Sequence, residues 1–235
     1  MRIKLLIAVI LALLSADAHA QILSSEIALK PSFFAVSSVL SINNHEISLQ
    51  NDLNINKSQT LYELYGAVSL DKLNIKASYL FPKTITGDGQ ITKNLVDAKL
   101  KDDFLPATAS YSVSAARLEL SLPISLINRY TFIEPLAFYQ TTSQNLSIIA
   151  KDFNYAQTIN NNALGFGIEL TELISQYARL NAKLALTQNT SIFSLKYKHY
   201  DRLGYFGAGY DWTNINNANI KTTLHGPTIE TGVRF

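Results

Sequence analysis

The sequence predicts an all-β protein: a transmembrane antiparallel up-and-down β-barrel of about ten strands. Strand-like segments of roughly ten residues, with alternating apolar and polar side chains, recur between turn signals. An export signal precedes these segments, and the last of them ends in the aromatic Phe235. A lipid-facing apolar surface and a polar interior account for such alternation in every strand.

The N-terminal segment has the three parts of a secretory signal peptide. Arg2 and Lys4 precede the apolar run 5–14, and the small residues Ala18 and Ala20 follow it. The run is shorter than the ~20 residues that a membrane-spanning helix needs, although an anchoring helix is the alternative. We expect cleavage after Ala20, so that residues 1–20 are the signal peptide and 21–235 form the barrel in the bacterial outer membrane.

Composition excludes several other classes of protein. Hydrophobic residues make up 47% of the chain, yet no second long apolar run occurs, which excludes an inner-membrane helical protein. The chain has no cysteine, so neither a disulfide framework nor a thiolate site is available. A formal net charge of +2 gives no reason to expect a nucleic-acid partner. Twelve tyrosines and eleven phenylalanines suit aromatic belts at two membrane interfaces.

Alternation defines ten strands in chain order. In the first, Leu29 and Phe33 share one face while Lys30 and Ser32 share the other. The expected strand cores are residues 27–35, 62–70, 73–81, 107–122, 130–141, 164–170, 178–186, 193–198, 206–212 and 228–235. An even number places both termini on the periplasmic side, as in bacterial barrels. Eight strands with two elongated hairpins, or a soluble antiparallel barrel or sandwich, are the alternatives.

The fourth and fifth segments are less regular than the others. In the fourth, Tyr111 and Val113 share one parity, whereas Leu118 and Leu120 share the other. A bulge near Ala115-Ala116 would re-aim the side chains and explain this switch. The fifth segment is the least regular of all and contains Glu134-Pro135.

Connections of two lengths are expected. Periplasmic turns are expected at 71–72, 173–176 and 201–204, and external loops at about 42–60, 83–106, 142–160 and 214–222. The second external loop contains Gly87-Asp88-Gly89, and residues 188–190 would form a tight external hairpin.

The first external loop carries two patterns. Six side chains have the spacing of oxygen ligands in a calcium loop: Asp52, Asn54, Asn56, Ser58, Thr60 and Glu63. Lys57 occupies the position that requires glycine, so we expect a solvated loop without a metal. Four apolar residues also alternate: Ile47, Leu49, Leu53 and Ile55. They indicate either that the strand ladder continues or that the loop packs over the barrel mouth.

The polar parity of each strand predicts the charges that face the lumen. The inward cations are Lys30, Lys76, Arg117, Arg179, Lys183, Lys196, Lys198 and Arg234, and the inward anions are Glu63, Glu119, Glu169, Asp211 and Glu230. Because unpaired buried charge is costly, we expect these groups to pair and to fill a barrel only slightly wider than the eight-stranded kind. Alternatively, the excess of cations would line a narrow, weakly anion-favouring pore.

Catalytic patterns are weak. No Gly-x-Ser-x-Gly occurs, and no histidine after the signal peptide lies in a nucleophile elbow. His45-Glu46 alone does not supply the acidic pair and His–Asp couple of outer-membrane proteases. His199 has no serine at the spacing of the lipid A deacylases. We therefore expect no enzyme activity, no cofactor and no metal.

Segments 47–53, 73–79 and 226–235 resemble those of small Gram-negative outer-membrane β-barrels without an established activity. The resemblance covers most of residues 21–235 and implies the barrel fold and an outer-membrane location. Expected partners are outer-membrane lipid and, through the C-terminal strand with Phe235 as its assembly signal, the barrel-assembly machinery. The sequence offers no clear oligomer interface.

These observations predict a non-enzymatic outer-membrane barrel with a structural or surface-interaction role and a mostly side-chain-filled lumen. Its external loops would form the variable contact surface. The alternative is a narrow porin-like channel for small solutes or ions.

Overall fold

The computed structural model describes residues 22–235 except 43–44, 71–72, 93–103, 127–129, 152 and 218. The predicted signal peptide with its cleavage site, and the predicted turn at 71–72, lie outside the described residues. The strands are β1 (Ile22–Ile42), β2 (His45–Ser48), β3 (Ser58–Leu70), β4 (Asn74–Thr92), β5 (Phe104–Ser121), β6 (Ile124–Ser125), β7 (Thr131–Ala150), β8 (Phe153–Ser175), β9 (Ala178–Thr187), β10 (Thr190–Tyr200), β11 (Gly204–Asn216) and β12 (Ile220–Arg234).

Ten of the strands found in the described residues form a closed antiparallel barrel. Successive long strands pair in chain order, and β12 pairs with β1 to close the sheet. At that closure Ser25 and Phe235 exchange two backbone hydrogen bonds, of 3.0 and 3.1 Å. The short strands β2 and β6 pair with β1 and β7. The prediction of ten strands in an up-and-down barrel is confirmed, and the eight-stranded alternative is wrong.

An apolar belt surrounds the half of the barrel nearest the chain termini. Leu164 and Phe166 on β8 are 73% and 70% exposed, and Leu120, Leu184 and Phe206 also point outward. Water disfavours an apolar belt of this extent, whereas lipid favours it. The protein is therefore an outer-membrane β-barrel whose belt faces lipid. Among the described residues, no helix is long and apolar enough to cross a membrane.

The distribution of polar and apolar side chains inverts above this belt. On β5, Leu118 and Leu120 are exposed outside the barrel, but farther up the strand Tyr111 and Val113 are buried inside it. The strand keeps an unbroken register with β7 over residues 107–121. The external half is thus ordered like a water-soluble barrel, with apolar side chains inside, while the lipid-embedded half has the opposite order.

The predicted bulge near Ala115-Ala116 is therefore wrong. The apolar side chains of β5 change parity because their surroundings change, so no change of strand phase is needed. The register irregularity of this hairpin lies instead in β4, between Leu80 and Lys83. An extra residue there switches the inward parity of β4 from even to odd positions, so that Ile85 and Ile91 are buried inside.

Among their described residues, three of the predicted external loops are mostly strand, and one of these is 214–222, most of which belongs to β11 and β12. Residues 83–92 continue β4, and 142–150 and 153–160 continue β7 and β8 up to a tight turn. A ladder needs only backbone partners, so it can extend beyond the lipid once its outer face becomes polar. We call β4, β5, β7 and β8 the external wall, because they rise well above the short β9–β10 hairpin, whose tight turn at 188–189 is confirmed.

Candidate functional site

Residues 45–57, which we call the plug, fold into the external half of the barrel. Ile47, Leu49, Leu53 and Ile55 are at most 2% exposed and belong to one apolar core with inward residues of the wall, among them Tyr111. Each of the two sequence-based interpretations is correct for part of the segment: the ladder continues through Ile47 in β2, while Leu49, Leu53 and Ile55 belong to a loop packed against the wall. The plug thus adds apolar side chains to the core of the external half.

Short-range hydrogen bonds shape the plug. Asp52 accepts a hydrogen bond from the backbone N–H of Ser48 at 2.7 Å, and Asn54, with φ of 50°, donates to the carbonyl of Asp88 at 2.7 Å. Two of the polar side chains that have calcium-loop spacing, Asp52 and Asn54, thus serve a turn and a contact with β4. Within the described residues, no group of three or more His, Cys, Asp or Glu is arranged to hold a metal.

Glycine allows the plug to lie directly against β4. A Cβ at Gly87 would be 2.3 Å from the Leu53 carbonyl oxygen, and a Cβ at Gly89 would be 2.0 Å from the Asp52 carbonyl oxygen. The backbone of Gln90 also donates to that Asp52 oxygen at 2.8 Å. The Gly-Asp-Gly sequence was expected in a loop, but it is strand backbone on which the plug rests.

A buried polar network crosses the interior beside the plug. The Gln144 amide donates to the hydroxyls of Tyr111 and Thr222, both at 3.0 Å, and the Thr222 hydroxyl lies 3.0 Å from that of Ser38. Asn217 donates to the Gln144 side-chain oxygen. These groups come from four different strands and the turn before β12, so the network ties opposite walls together.

Below the plug, the inward charges meet in ion pairs. The pairs are Lys30 with Glu63 and Asp211, Lys76 with Glu119 and Glu169, Lys183 with Glu119, Lys196 with Glu230, and Lys198 with Glu26 and Glu230. Lys30–Asp211 and Lys76–Glu169 are both 2.9 Å, and Lys198–Glu230 is 2.8 Å. Every anion of the predicted lumen set takes part in a pair, which satisfies the requirement that buried charge be compensated.

The three predicted lumen arginines contact aromatic rings. Arg117 lies 5.5 Å from the ring centre of Phe138 and donates to Gln140 at 3.0 Å. Arg179 and Arg234 lie 4.9 and 5.6 Å from the ring centre of Tyr200, near the periplasmic end. Such contacts offset part of the cost of taking guanidinium groups out of water.

Tyrosines extend the charged network toward the periplasmic end. The Tyr65 hydroxyl contacts the Tyr205 hydroxyl and the Glu230 carboxylate, and it accepts a hydrogen bond from Lys198 at 2.7 Å. The Lys198 ammonium also lies 4.6 Å from the Tyr205 ring centre. These tyrosines were not among the predicted lumen residues, although Tyr65 has the inward parity of Glu63.

Two further inward carboxylates were not among the predicted lumen residues. Glu26 pairs with Lys198 at 3.7 Å, and Glu134 accepts hydrogen bonds from Asn74, Ser121 and Thr171. Both share the inward parity of their strands, so alternation could have identified them. With these two added, eight cations face seven anions, which removes most of the charge excess behind the expected anion preference.

A cavity of about 180 Å³ lies in the lumen among the ion-paired side chains. Its upper wall is apolar, with Phe34, Val113 and Leu224, while its lower wall carries Lys30 and Glu119. The Glu119 Oε1 atom is buried without a hydrogen-bond partner among the described residues. The cavity is therefore amphipathic, and it is smaller than the ~300–1,000 Å³ that pockets for drug-sized ligands occupy.

No protein-family model matches the chain, and no curated protein matches it in sequence. Solved structures of outer-membrane proteins are similar to it in fold. The β domain of the Bordetella autotransporter Brka has a TM-score of 0.48 at 13% identity, over 90% of this chain and 98% of that chain. Ail, the attachment invasion locus protein of Yersinia pestis, has a TM-score of 0.40 at 10% identity, with the same coverage of both chains. OprG from Pseudomonas aeruginosa has a TM-score of 0.38 at 11% identity, over 90% of this chain and 96% of that chain.

Proposed function

We propose that this protein is a non-enzymatic outer-membrane barrel that does not conduct and that presents its external wall as a contact surface. The plug is the observation that carries the proposal, because Leu49 and Leu53 are fully buried in the mouth where a solute would enter. The paired lumen charges add to the filling, since each ion pair removes mobile charge from the path.

The outer face of the external wall is the surface we assign to contact. Its exposed polar side chains are Thr84, Thr86, Asp88, Gln90, Thr108, Asn145, Asn154, Thr158, Asn160 and Asn162. Hydroxyl and amide groups dominate this set, and long paired strands hold them in a regular array. A rigid surface of this kind suits recognition through hydrogen bonds better than through charge.

Conductance in planar bilayers tests the closed lumen. The wild-type protein should stay silent under conditions in which a control porin conducts. Discrete openings that change on Arg179→Ala would support the alternative, a narrow channel for small solutes or ions. The charged lumen beneath the plug is what favours that alternative.

Surface labelling tests the placement of the wall. The chain has no cysteine, so single cysteines can be introduced without background. A membrane-impermeant maleimide should label Asn160→Cys on intact cells but not Tyr177→Cys, which lies in a turn at the opposite end of the barrel. Equal labelling of both variants would contradict the assignment.

We also propose that the protein lacks enzyme activity and that the barrel-assembly machinery inserts it. The ion-paired carboxylates and lysines of the lumen support the first point, because they are engaged in structural contacts. Incubating the folded protein with lipopolysaccharide and with peptides should give no product.

The outward Phe235 after β12 supports insertion by the barrel-assembly machinery, and Phe235→Ser should slow folding into the membrane in cells.

A further inference from the structure

The external wall is a four-stranded sheet that has two edges. Strand β3 pairs with β4 no farther up than Leu80, and β9 pairs with β8 no farther up than Gly165. Among the described residues, the upper parts of β4 and β8 therefore each have one side without a neighbouring strand of the barrel. Such an edge presents backbone N–H and C=O groups that can pair with another segment of chain.

The plug covers the edge of β4. The backbone N–H of Gln90 donates to the Asp52 carbonyl at 2.8 Å, and the Asn54 amide donates to the Asp88 carbonyl at 2.7 Å. On the other edge, no described residue outside β7 forms a hydrogen bond with the backbone of β8 over residues 154–162. The wall thus binds a segment of chain along one edge and leaves the opposite edge uncovered by the described residues.

The even-numbered residues of β8 direct their backbone groups toward this second edge. Leu173 donates its N–H to the carbonyl of Tyr130 at 2.8 Å, so the odd-numbered residues of β8 pair with the β7 side. The even-numbered residues face the side of β9, which ends below them. The residues that present N–H and C=O groups there, with exposed side chains on the outer face, are Asn154, Ala156, Thr158, Asn160 and Asn162.

The sequence of this edge lacks the usual protection against strand pairing. Natural sheets protect their edges with lysine, proline, a bulge or a very short strand. Residues 153–164 contain no charged residue and no proline, and β8 keeps an unbroken register with β7 over residues 153–172. The upper part of β8 is therefore a long, regular and uncharged edge.

We propose that an extended peptide segment of another protein adds to this edge as an antiparallel strand, in the place that a longer β9 would occupy. About nine residues of the segment lie opposite residues 154–162, since each strand residue advances ~3.3 Å in both chains. This inference deepens the proposed contact role of the wall and rests on the wall lying outside the cell.

The two faces of the edge define the side chains of the peptide. On the inner face, Phe153, Tyr155 and Ile159 are partly buried against the apolar core, so apolar peptide residues beside them bury further surface. On the outer face, Thr158 and Asn160 favour neighbours that carry hydroxyl or amide groups. The segment therefore alternates apolar and uncharged polar residues. Residues of a hydrogen-bonded antiparallel pair share a face, so its polar residues are the ones that donate N–H groups to β8.

Peptide binding to the detergent-folded protein tests the proposal. The probe is a fluorescein-labelled peptide of alternating Thr and Val, about nine residues long with a lysine at each end, and fluorescence anisotropy measures its binding. We expect saturable binding that N-methylation of the Thr residues abolishes and N-methylation of the Val residues leaves within about twofold, because only the Thr N–H groups face β8. Absence of saturable binding, or an equal effect of both methylations, would overturn the proposal.

Thr158→Pro tests the assignment to β8. Proline removes an N–H group that faces away from β7, so the ladder between β7 and β8 stays intact. Peptide binding should weaken about tenfold, whereas Thr158→Ala, the matched control that keeps the N–H, should bind as the wild type does. Equal binding by the two folded variants would overturn the assignment. The methylated peptides test the same edge without altering the protein.

A second copy of this chain is the other candidate occupant of the edge. We expect light scattering to show a monomer in detergent for both the wild type and Thr158→Pro. A wild-type dimer that Thr158→Pro dissociates would overturn the peptide as occupant, because the edge would then pair with itself. These measurements use isolated protein, whereas labelling of Asn160→Cys on cells tests where the wall lies. The edge and the external placement of the wall can thus fail separately.

Discussion

The Tyr111 hydroxyl lies 2.8 Å from the Thr222 hydroxyl, which joins β5 to β12 across the interior of the barrel. Both residues have no exposed surface, so the contact forms where water cannot replace it. It lies at the height of the plug, above the ion pairs. The barrel is therefore held from within at two levels, by neutral hydrogen bonds above and by charge below.

Tyr111→Phe should lower the free energy of unfolding by about 1–2 kcal/mol. The substitution keeps the ring but leaves the Gln144 amide and the Thr222 hydroxyl with one partner fewer in a buried site. Urea unfolding in detergent micelles measures the change. Tyr139→Phe on the lipid face is the control and should have little effect, and equal losses in both variants would contradict this role of the network.

Leu53→Ala should destabilise the barrel by about 2–5 kcal/mol. Leu53 is fully buried in the plug core, so truncation leaves a cavity among rigid neighbours. Leu164→Ala, at a position 73% exposed to lipid, is the matched control and should cost much less. Samples of each variant are heated to increasing temperatures and run on gels, where the folded barrel migrates differently from the unfolded chain. The temperature at which the folded band disappears is compared between the variants. If Leu53→Ala lowers the stability no more than Leu164→Ala does, the plug does not pack as described.

Lys183→Met should cost about 3–5 kcal/mol, because among the described residues Glu119 then keeps a single cationic partner, Lys76, at 3.9 Å. Adding Glu119→Gln should recover much of that loss, since the uncompensated charge is then gone. The free energies of unfolding of the wild type, the two single variants and the double variant, measured in urea, form a double-mutant cycle. Strictly additive effects would show that the two side chains are not coupled.

Gly89→Ala should disturb the plug more than Gly207→Ala. A Cβ at Gly89 would lie 2.0 Å from backbone of the plug, whereas at Gly207 the nearest atom is 3.2 Å away. At 2.0 Å the plug backbone has to move, whereas the 3.2 Å contact at Gly207, also with backbone, requires a shift of only a few tenths of an ångström. Protease cleavage within residues 45–57 should rise for Gly89→Ala alone, and a resistant variant would count against the contact.

Alternation was enough to predict the ten strands, because each strand keeps one face to lipid. The same alternation placed Lys30, Lys76 and Lys198 on one inner face, and these residues meet carboxylates there. Alternation could not reveal where the lipid ends. Tyr111 and Val113 look like a change of phase, since the sequence records apolar positions but not the solvent on either side. Alternation also could not reveal that the plug packs against Gly89, because this contact joins segments that are distant in the sequence.

The inversion along each tall strand also marks the position of the membrane surface. On β8 the outward side chain changes from the amide of Asn162 to the exposed Leu164 within two residues, a rise of about 7 Å. On β5 a comparable change occurs between Ser114 and Leu118. This change of side chains thus marks the outer boundary of the bilayer. Residues 153–162 lie above it, within reach of molecules that never enter the lipid.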